Sequence, residues 1–165
     1  MKQRVELSTY CWIITILTLV LSAVILWRTL ENQILFTVIG ILVCLMLILA
    51  LWYAPMSLSV KDGCLNINST LRVKSIPLQD IESVKPMNPT MGAIRTCGSG
   101  GFLGYWGWFR ESDLGRYFAY YGKASDCFLA TLKDGRKYML GCRDGKAFAN
   151  ALSLALKASG ELKNY

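Results

Sequence analysis

The sequence predicts a helical membrane hairpin followed by one α+β domain, in which about seven antiparallel strands form a barrel or sandwich capped by a C-terminal helix. Two observations predict this architecture. The first 54 residues contain two long windows without a charged residue, and the remainder contains short alternating segments that end in one amphipathic stripe. We therefore divide the chain into a two-helix hairpin, residues 1–54, and a soluble domain, residues 55–165.

Each charge-free window holds an apolar run that is long enough to cross a bilayer. Residues 10–27 would form about 27 Å of helix and residues 34–54 about 31 Å, against a hydrocarbon core of roughly 30 Å. Only six residues, 28–33, join the two runs. Such a short connection forces the second helix to return antiparallel to the first.

The distribution of basic residues predicts the orientation of the hairpin. The flanks outside the two helices carry Lys2, Arg4, Lys61 and Arg72. The connection carries only Arg28. Because short cytoplasmic flanks are enriched in Lys and Arg, both termini should face the cytoplasm. The alternative, a cleaved signal peptide over residues 1–23, has no clear small-residue cleavage site at its end.

Alternating residues and turn residues predict the strands in order. Pro55 ends the second helix, and Lys61-Asp62-Gly63 and the turn 133–136 read as hairpin turns. The predicted strands are residues 56–60, 65–68, 71–76, one within 78–84, 117–121, 127–132 and 137–140. Asp144 then reads as the N-cap of a last helix, about 145–158, whose apolar stripe should place Phe148 and Leu152 against the barrel.

Residues 91–112 interrupt the alternation with glycines and aromatic residues. In a structural interpretation, the glycines permit positive φ and close approach of backbones, while the aromatic side chains fill the core or cover an open barrel edge. In a functional interpretation, an exposed loop touches the bilayer interface or a partner. The candidate contact residues of this segment are Arg95, Phe102, Tyr105, Trp106, Trp108 and Arg110.

The sequence lacks the residue patterns of an enzyme or a metalloprotein. It has no histidine, and its six cysteines are widely spaced without a CxxC pair. Glycines 98, 100 and 104 miss the GxGxxG spacing because position 103 is Leu. We therefore predict no catalytic residue, no metal site and no cofactor, and we expect reduced cysteines that act mainly as small buried hydrophobes.

The order of several elements carries a family resemblance over about residues 56–156. These elements are the segment 76–84, Arg95, glycines 98, 100, 101, 104 and 107, Phe109, Tyr117 and the Asp134-Gly135 turn before the helix. This order resembles the bacterial pleckstrin-homology-like (bacterial PH) domain family, whose members often follow two transmembrane helices. The resemblance implies a barrel of about seven strands with a C-terminal helix, and it places the chain at a bacterial inner membrane.

The resemblance also suggests a lipid site. Eukaryotic relatives of the fold bind phosphoinositide headgroups through basic residues on their first strands, and Lys61, Arg72 and Lys74 approximate that pattern. The turn at 61–63 is short for cradling a phosphate, so the alternative is that these residues are simply solvated on the outer face of a strand.

Two classes of function follow from these observations. The first is a noncatalytic binding or scaffolding module, tethered at the cytoplasmic membrane face, that meets another membrane protein or a second copy of itself. The second is a sensor of lipid headgroups or small ligands that uses the glycine and aromatic segment with its basic neighbours. The domain carries 15 Lys and Arg against 9 Asp and Glu, which favours anionic lipid as a contact. These basic residues are scattered, so nucleic-acid binding is not predicted.

Overall fold

Two long apolar helices begin the fold. The computed structural model describes residues 1–90 and 92–161, so Met91 and residues 162–165 of the predicted soluble domain lie outside the described residues. Helix α1 spans Thr9–Arg28 and helix α2 spans Gln33–Tyr53, each within one residue of the predicted bounds. Ser8 and Asn32 cap them with side-chain oxygens that accept from the backbone N–H of Cys11 and Leu35. Both helices are long and apolar enough to cross a membrane.

The residues before α1 form a strand that the sequence analysis did not predict. Strand β1, Lys2–Arg4, pairs antiparallel with β2, Pro55–Lys61. Charged and polar residues dominate β1, so no alternation of apolar residues marks it in the sequence. The pairing brings the chain before the hairpin and the chain after it to the same side of α1 and α2.

The first sheet has four strands in the order β1-β2-β3-β4 and is antiparallel throughout. Strand β3 spans Cys64–Ser69 and β4 spans Val73–Pro77. Asp62 and Gly63, with φ of 53° and 69°, make the turn between β2 and β3. This agrees with the predicted hairpin, since positive φ at both positions suits Asp-Gly.

The second sheet has six strands in the order β5-β9-β10-β8-β7-β6. Its strands are β5 Ile81–Pro86, β6 Ile94–Gly101, β7 Gly104–Glu111, β8 Gly115–Tyr121, β9 Cys127–Leu132 and β10 Lys137–Gly141. Strands β8 and β10 pair in parallel, and the other neighbours pair antiparallel.

The glycine and aromatic segment is the main correction to the predicted strands. Instead of lacking regular pairing, it forms β6 and β7, two strands of eight residues each. With β1, these bring the strands of the described residues to ten, where about seven were predicted. The prediction failed here because five glycines have no side chain to show an alternation between two faces.

The core lies between the two sheets and the last helix. Helix α3 spans Gly145–Glu161, and the Phe148 N–H donates to the Asp144 carbonyl at 2.9 Å at its start. Phe148 and Leu152 are buried in the main core cluster, as predicted, and Phe148 stacks on Phe128 with ring centroids 5.7 Å apart. A second core cluster on the opposite face of the six-stranded sheet includes Tyr117 and Met139.

Candidate functional site

The two strands of the glycine and aromatic segment approach each other closely at one pair of glycines. Gly98 and Gly107 lie opposite each other and have φ of 123° and 116°. A Cβ added to either glycine would lie 2.7 Å from the Cα of the other, closer than Cβ atoms approach in real structures. These two positions therefore require glycine for both conformation and space.

Aromatic residues of β7 alternate between the two faces of the six-stranded sheet. On one face, Trp106 lies opposite Tyr120 and Trp108 lies opposite Phe118. On the other face, Tyr105 lies opposite Tyr121 and Phe109 lies opposite Tyr117. Phe109 is buried, whereas Trp106 and Trp108 are half-buried. The segment thus supplies core residues on one face and a partly open aromatic surface on the other.

Trp106 and Trp108 belong to one continuous aromatic cluster, in which Tyr120 and Tyr138 are buried in the main core. We define the aromatic cluster as Tyr53, Trp106, Trp108, Phe118, Tyr120 and Tyr138. Phe118 lies at its centre, with ring centroids 4.8 Å from Tyr120 and 5.0 Å from Trp108. Tyr53, the last residue of α2, stacks on Trp106 at 5.6 Å with an interplanar angle of 12°. The cluster therefore extends from the end of the hairpin across β7, β8 and β10.

Two basic side chains lie against the rings of the cluster. Lys74 of β4 donates to the Tyr138 hydroxyl at 2.7 Å, and its Nζ lies 4.5 Å from the centre of that ring. The Arg116 guanidinium carbon lies 4.4 Å from the centre of the Trp108 ring. Both contacts have cation–π geometry, which stabilises a positive charge over an aromatic face.

Two further arginines belong to the same region. Burial raises the pKa of the Tyr120 phenol to about 12, and the nearby positive charge of Arg72 acts in the opposite direction. Arg110 lies opposite Arg116 in the register of β7 and β8. Like charges in directly opposed positions are destabilising, and no carboxylate of the described residues forms an ion pair with either arginine. The cluster thus has a basic margin that is not neutralised within the described chain.

The structure brings five of the nine predicted contact residues together at the aromatic cluster: Arg72, Lys74, Trp106, Trp108 and Arg110. Tyr105 lies on the opposite face of the sheet and Phe102 lies in the β6–β7 turn. Lys61 ends β2 and lies 3.8 Å from Asp62, with both side chains highly exposed. It is two strands away from Lys74 in the first sheet. Arg95 is exposed on the edge strand β6. The headgroup pattern suggested by Lys61, Arg72 and Lys74 is therefore split between a remote turn and the margin of the aromatic cluster.

The turn between β6 and β7 contacts helix α1. Phe102 and Leu103 form this turn, and the Leu103 N–H donates to Thr15 Oγ1 at 2.9 Å. A Cβ added to Gly101 would lie 3.2 Å from the Tyr10 ring. Nothing in the sequence pairs residues 10–15 with residues 101–103, because the contact joins segments almost 90 positions apart.

Two cysteines of the domain after the hairpin lie in environments that suppress thiol reactivity. Burial raises the pKa of the Cys142 thiol to about 11 and raises that of Cys127 still further, so both remain protonated near neutral pH. Cys11 is buried too, while Cys44 and Cys97 are exposed, so burial of the cysteines is only partly as expected. The described residues contain no group of three His, Cys, Asp or Glu side chains that could hold a metal ion.

A family model described as "Bacterial PH domain" matches residues 56–155, well over half of the chain. The chain belongs to the bacterial PH domain family. The match covers the PH domain from β2 into α3, including Arg72, Lys74 and all of the aromatic cluster except Tyr53. No curated protein and no solved structure matches the chain.

Several residues of the aromatic cluster were not among the predicted contact residues of this PH domain. These are Tyr53, Phe118, Tyr120 and Tyr138. Phe118 and Tyr120 alternate with Tyr117, Ala119 and Tyr121 inside a correctly predicted strand, so the sequence did place them on one face. Their neighbours on β4, β7 and α2 depend on long-range pairing, which a local pattern does not contain.

Proposed function

We propose that this chain is a noncatalytic, membrane-tethered binding module. Its hairpin spans the inner membrane with both termini in the cytoplasm and holds the PH domain in a fixed orientation. The half-buried rings of its aromatic cluster, with the basic margin of Lys74, Arg110 and Arg116, contact another membrane protein or a second copy of the chain. The observation that carries this proposal is that the hairpin is fastened to the PH domain rather than linked to it flexibly.

Three independent contacts fasten the two parts. Strand β1 pairs with β2 across residues 2–4 and 57–59. The Leu103 N–H binds Thr15 of α1, and the Tyr53 ring of α2 stacks on Trp106. Moreover, only Ala54 separates α2 from β2. A domain fastened in this way presents one fixed face at the membrane, and confinement to a surface raises its effective concentration for a partner in the same membrane.

At the end of β7 that is farthest from its turn with β6, the position of the arginines favours contact with a protein partner over contact with the bilayer. Arg110 lies six residues along β7 from Gly104, about 20 Å at roughly 3.3 Å per residue. A headgroup layer is only about 5–7 Å thick on each side of the hydrocarbon core. An acidic, aromatic-binding surface of a neighbouring protein would reach this end of the strand and would relieve the repulsion between Arg110 and Arg116.

The second candidate function is recognition of an anionic lipid headgroup, and the position of Arg72 favours it. Arg72 precedes β4, close to Tyr120, at the end of the aromatic cluster that Tyr53 links to the hairpin. A headgroup phosphate between Arg72 and Tyr53 would need no contribution from the remote Lys61. Native mass spectrometry of the detergent-extracted chain should then retain anionic phospholipid, and Arg72→Gln should lose it.

The topology gives a direct test of the tether. Reporter fusions placed after Glu31 and at the C-terminus should report opposite sides of the membrane, with the C-terminal reporter in the cytoplasm. The reason is the four-to-one bias of basic residues across the short flanks, together with the β1–β2 pairing that brings both flanks to one side. A C-terminal reporter outside the cytoplasm would contradict the proposed orientation.

Two charge-reversal variants, one on the proposed binding face and one away from it, test this face. Arg110→Glu should strongly reduce recovery of partners, including a differently tagged second copy, after crosslinking in membranes, because a carboxylate would replace a cation on the proposed contact face. Lys85→Glu should leave recovery unchanged, since Lys85 is also exposed but lies on β5, at the opposite edge of the six-stranded sheet. Equal recovery with both variants would show that this face is not the contact surface.

A further inference from the structure

The turn between β6 and β7 differs in composition from the other tight turns of the two sheets. The turns at Asp62-Gly63 and Asp134-Gly135 carry the residues that favour tight turns, and they are exposed. Between Gly101 and Gly104, the corresponding pair is Phe102-Leu103. Leu103 has a φ of 53°, a conformation that costs an L-residue roughly 1–2 kcal/mol. Turn formation alone therefore does not explain this choice of residues.

Two polar backbone groups at the tip of the hairpin, the Phe102 carbonyl and the Leu103 N–H, have partners within the protein. The Phe102 carbonyl accepts from Ser99 Oγ at 3.0 Å and from Trp106 Nε1 at 3.2 Å. The Leu103 N–H donates to Thr15 Oγ1, and that hydroxyl donates in turn to the Cys11 carbonyl at 2.7 Å. A turn in water could bind solvent instead. A turn in hydrocarbon requires such internal partners, since each unsatisfied group there costs several kcal/mol.

The contact with Thr15 fixes how far along α1 the Phe102-Leu103 turn lies. Thr15 lies six residues after Thr9, the first residue of α1, so it is about 9 Å along the helix axis at roughly 1.5 Å per residue. It also lies about 5 Å beyond Trp12, an exposed residue of the kind found at the membrane boundary. Because α1 is a candidate spanning helix, a backbone group bound to Thr15 lies below that boundary.

The half of the β6–β7 hairpin nearest the Phe102-Leu103 turn carries no charged residue. No charged residue occurs between Arg95 and Arg110. Arg95 lies opposite Phe109 and Arg110 lies opposite Ile94, so both arginines are at the end of the hairpin away from its turn. The tip half contains glycine, Ser99 and apolar or aromatic residues only. Insertion of the tip would therefore carry no charged side chain into hydrocarbon.

We propose that the Phe102-Leu103 turn inserts into the bilayer beside α1 and forms a third membrane contact, with both side chains against lipid acyl chains. This inference rests on the proposed function, because it requires α1 to span the membrane. Phe102 and Leu103 are only half-buried by the protein, so lipid covers their remaining surface. The inserted turn fixes the depth of the PH domain and prevents it from rotating about the hairpin axis.

Photocrosslinking of the full-length chain tests this proposal without altering its cysteines. p-Benzoylphenylalanine is placed singly at Phe102, Leu103, Ile41 and Ile94, and each protein is irradiated in vesicles of phosphatidylcholine and phosphatidylglycerol. Ile41, in the middle of α2 and 63% exposed, is the control for the tether. Ile94, 69% exposed at the other end of β6, is the control for the rest of the PH domain. Intact-protein mass spectrometry detects a phospholipid adduct.

The expected result is a phospholipid adduct at Phe102, Leu103 and Ile41, with only background at Ile94. An adduct at Ile41 with background at both tip positions would overturn the inserted turn and leave the tether intact. Background at Ile41 would overturn the tether, and the inserted turn with it. Equal adducts at Phe102 and Ile94 would also overturn the proposal, because the whole domain and not the turn would then contact lipid.

Discussion

Phe148→Ala should lower the thermal midpoint of the PH domain by more than about 10 °C. Phe148 is 1% exposed, stacks on Phe128 and lies in the core between α3 and both sheets. Truncation of a buried Phe to Ala costs about 3–5 kcal/mol, and 1 kcal/mol shifts the midpoint of a domain of this size by roughly 4 °C or more. Near-UV circular dichroism of the full chain in mild detergent would follow the loss of aromatic packing.

The same helix supplies the control. Leu154→Ala removes an apolar side chain that is 65% exposed on α3, so it should change the midpoint by no more than a few degrees. Helix propensity changes little in this substitution, because Leu and Ala are both good helix formers. Equal midpoints for the two variants would mean that Phe148 does not anchor α3 in the core.

The two N-terminal helices and the last helix were predicted correctly because the interactions that form them are local in sequence. The charge-free windows fix α1 and α2, because length and composition alone decide whether a helix can cross a bilayer. Similarly, Phe148 and Leu152 are four residues apart, so their common face follows from helical periodicity. In each case the information lies within about twenty consecutive residues.

Strand β1 was missed because its partner is remote in sequence, whereas β6 and β7 were missed although they pair with each other locally. Lys2, Gln3 and Arg4 have weak strand preference, and they pair with β2 only because the hairpin returns the chain beside them. In β6 and β7, glycines replace the side chains that would show alternation, and close packing of Gly98 on Gly107 takes the place of side-chain packing.

The candidate site could be predicted only in part for the same reason. Trp106 and Trp108 were singled out by residue type, and Arg72 and Lys74 by the family resemblance. The fold collects all four at the aromatic cluster. Lys61 was grouped with Arg72 and Lys74 by resemblance to a basic pattern, but its position depends on where β2 ends in the first sheet. Membership of such a site is decided by strand order, which single-sequence patterns do not determine.

Gly107→Ala should destabilise the β6–β7 hairpin by about 2–6 kcal/mol. A strained backbone conformation costs about 1–3 kcal/mol, and forcing extra atoms into a packed space costs about 1–3 kcal/mol more. Here the new Cβ would meet the Cys97 carbonyl oxygen and the Cα of Gly98. Thermal unfolding followed by tryptophan fluorescence is the suitable measurement, because Trp106 and Trp108 flank the site.

Two companion variants separate strain from crowding. Gly115→Ala also places alanine at positive φ, 70°, but no atom lies near its added Cβ, so it should cost only the strain, about 1–2 kcal/mol. The double variant with Gly98→Ala and Gly107→Ala should cost less than the sum of its parts. Each new methyl group meets the opposite strand at the same point, so one separation of the strands accommodates both. Strict additivity, or a Gly115→Ala effect as large as that of Gly107→Ala, would mean that φ alone and not the close approach of β6 and β7 requires these glycines.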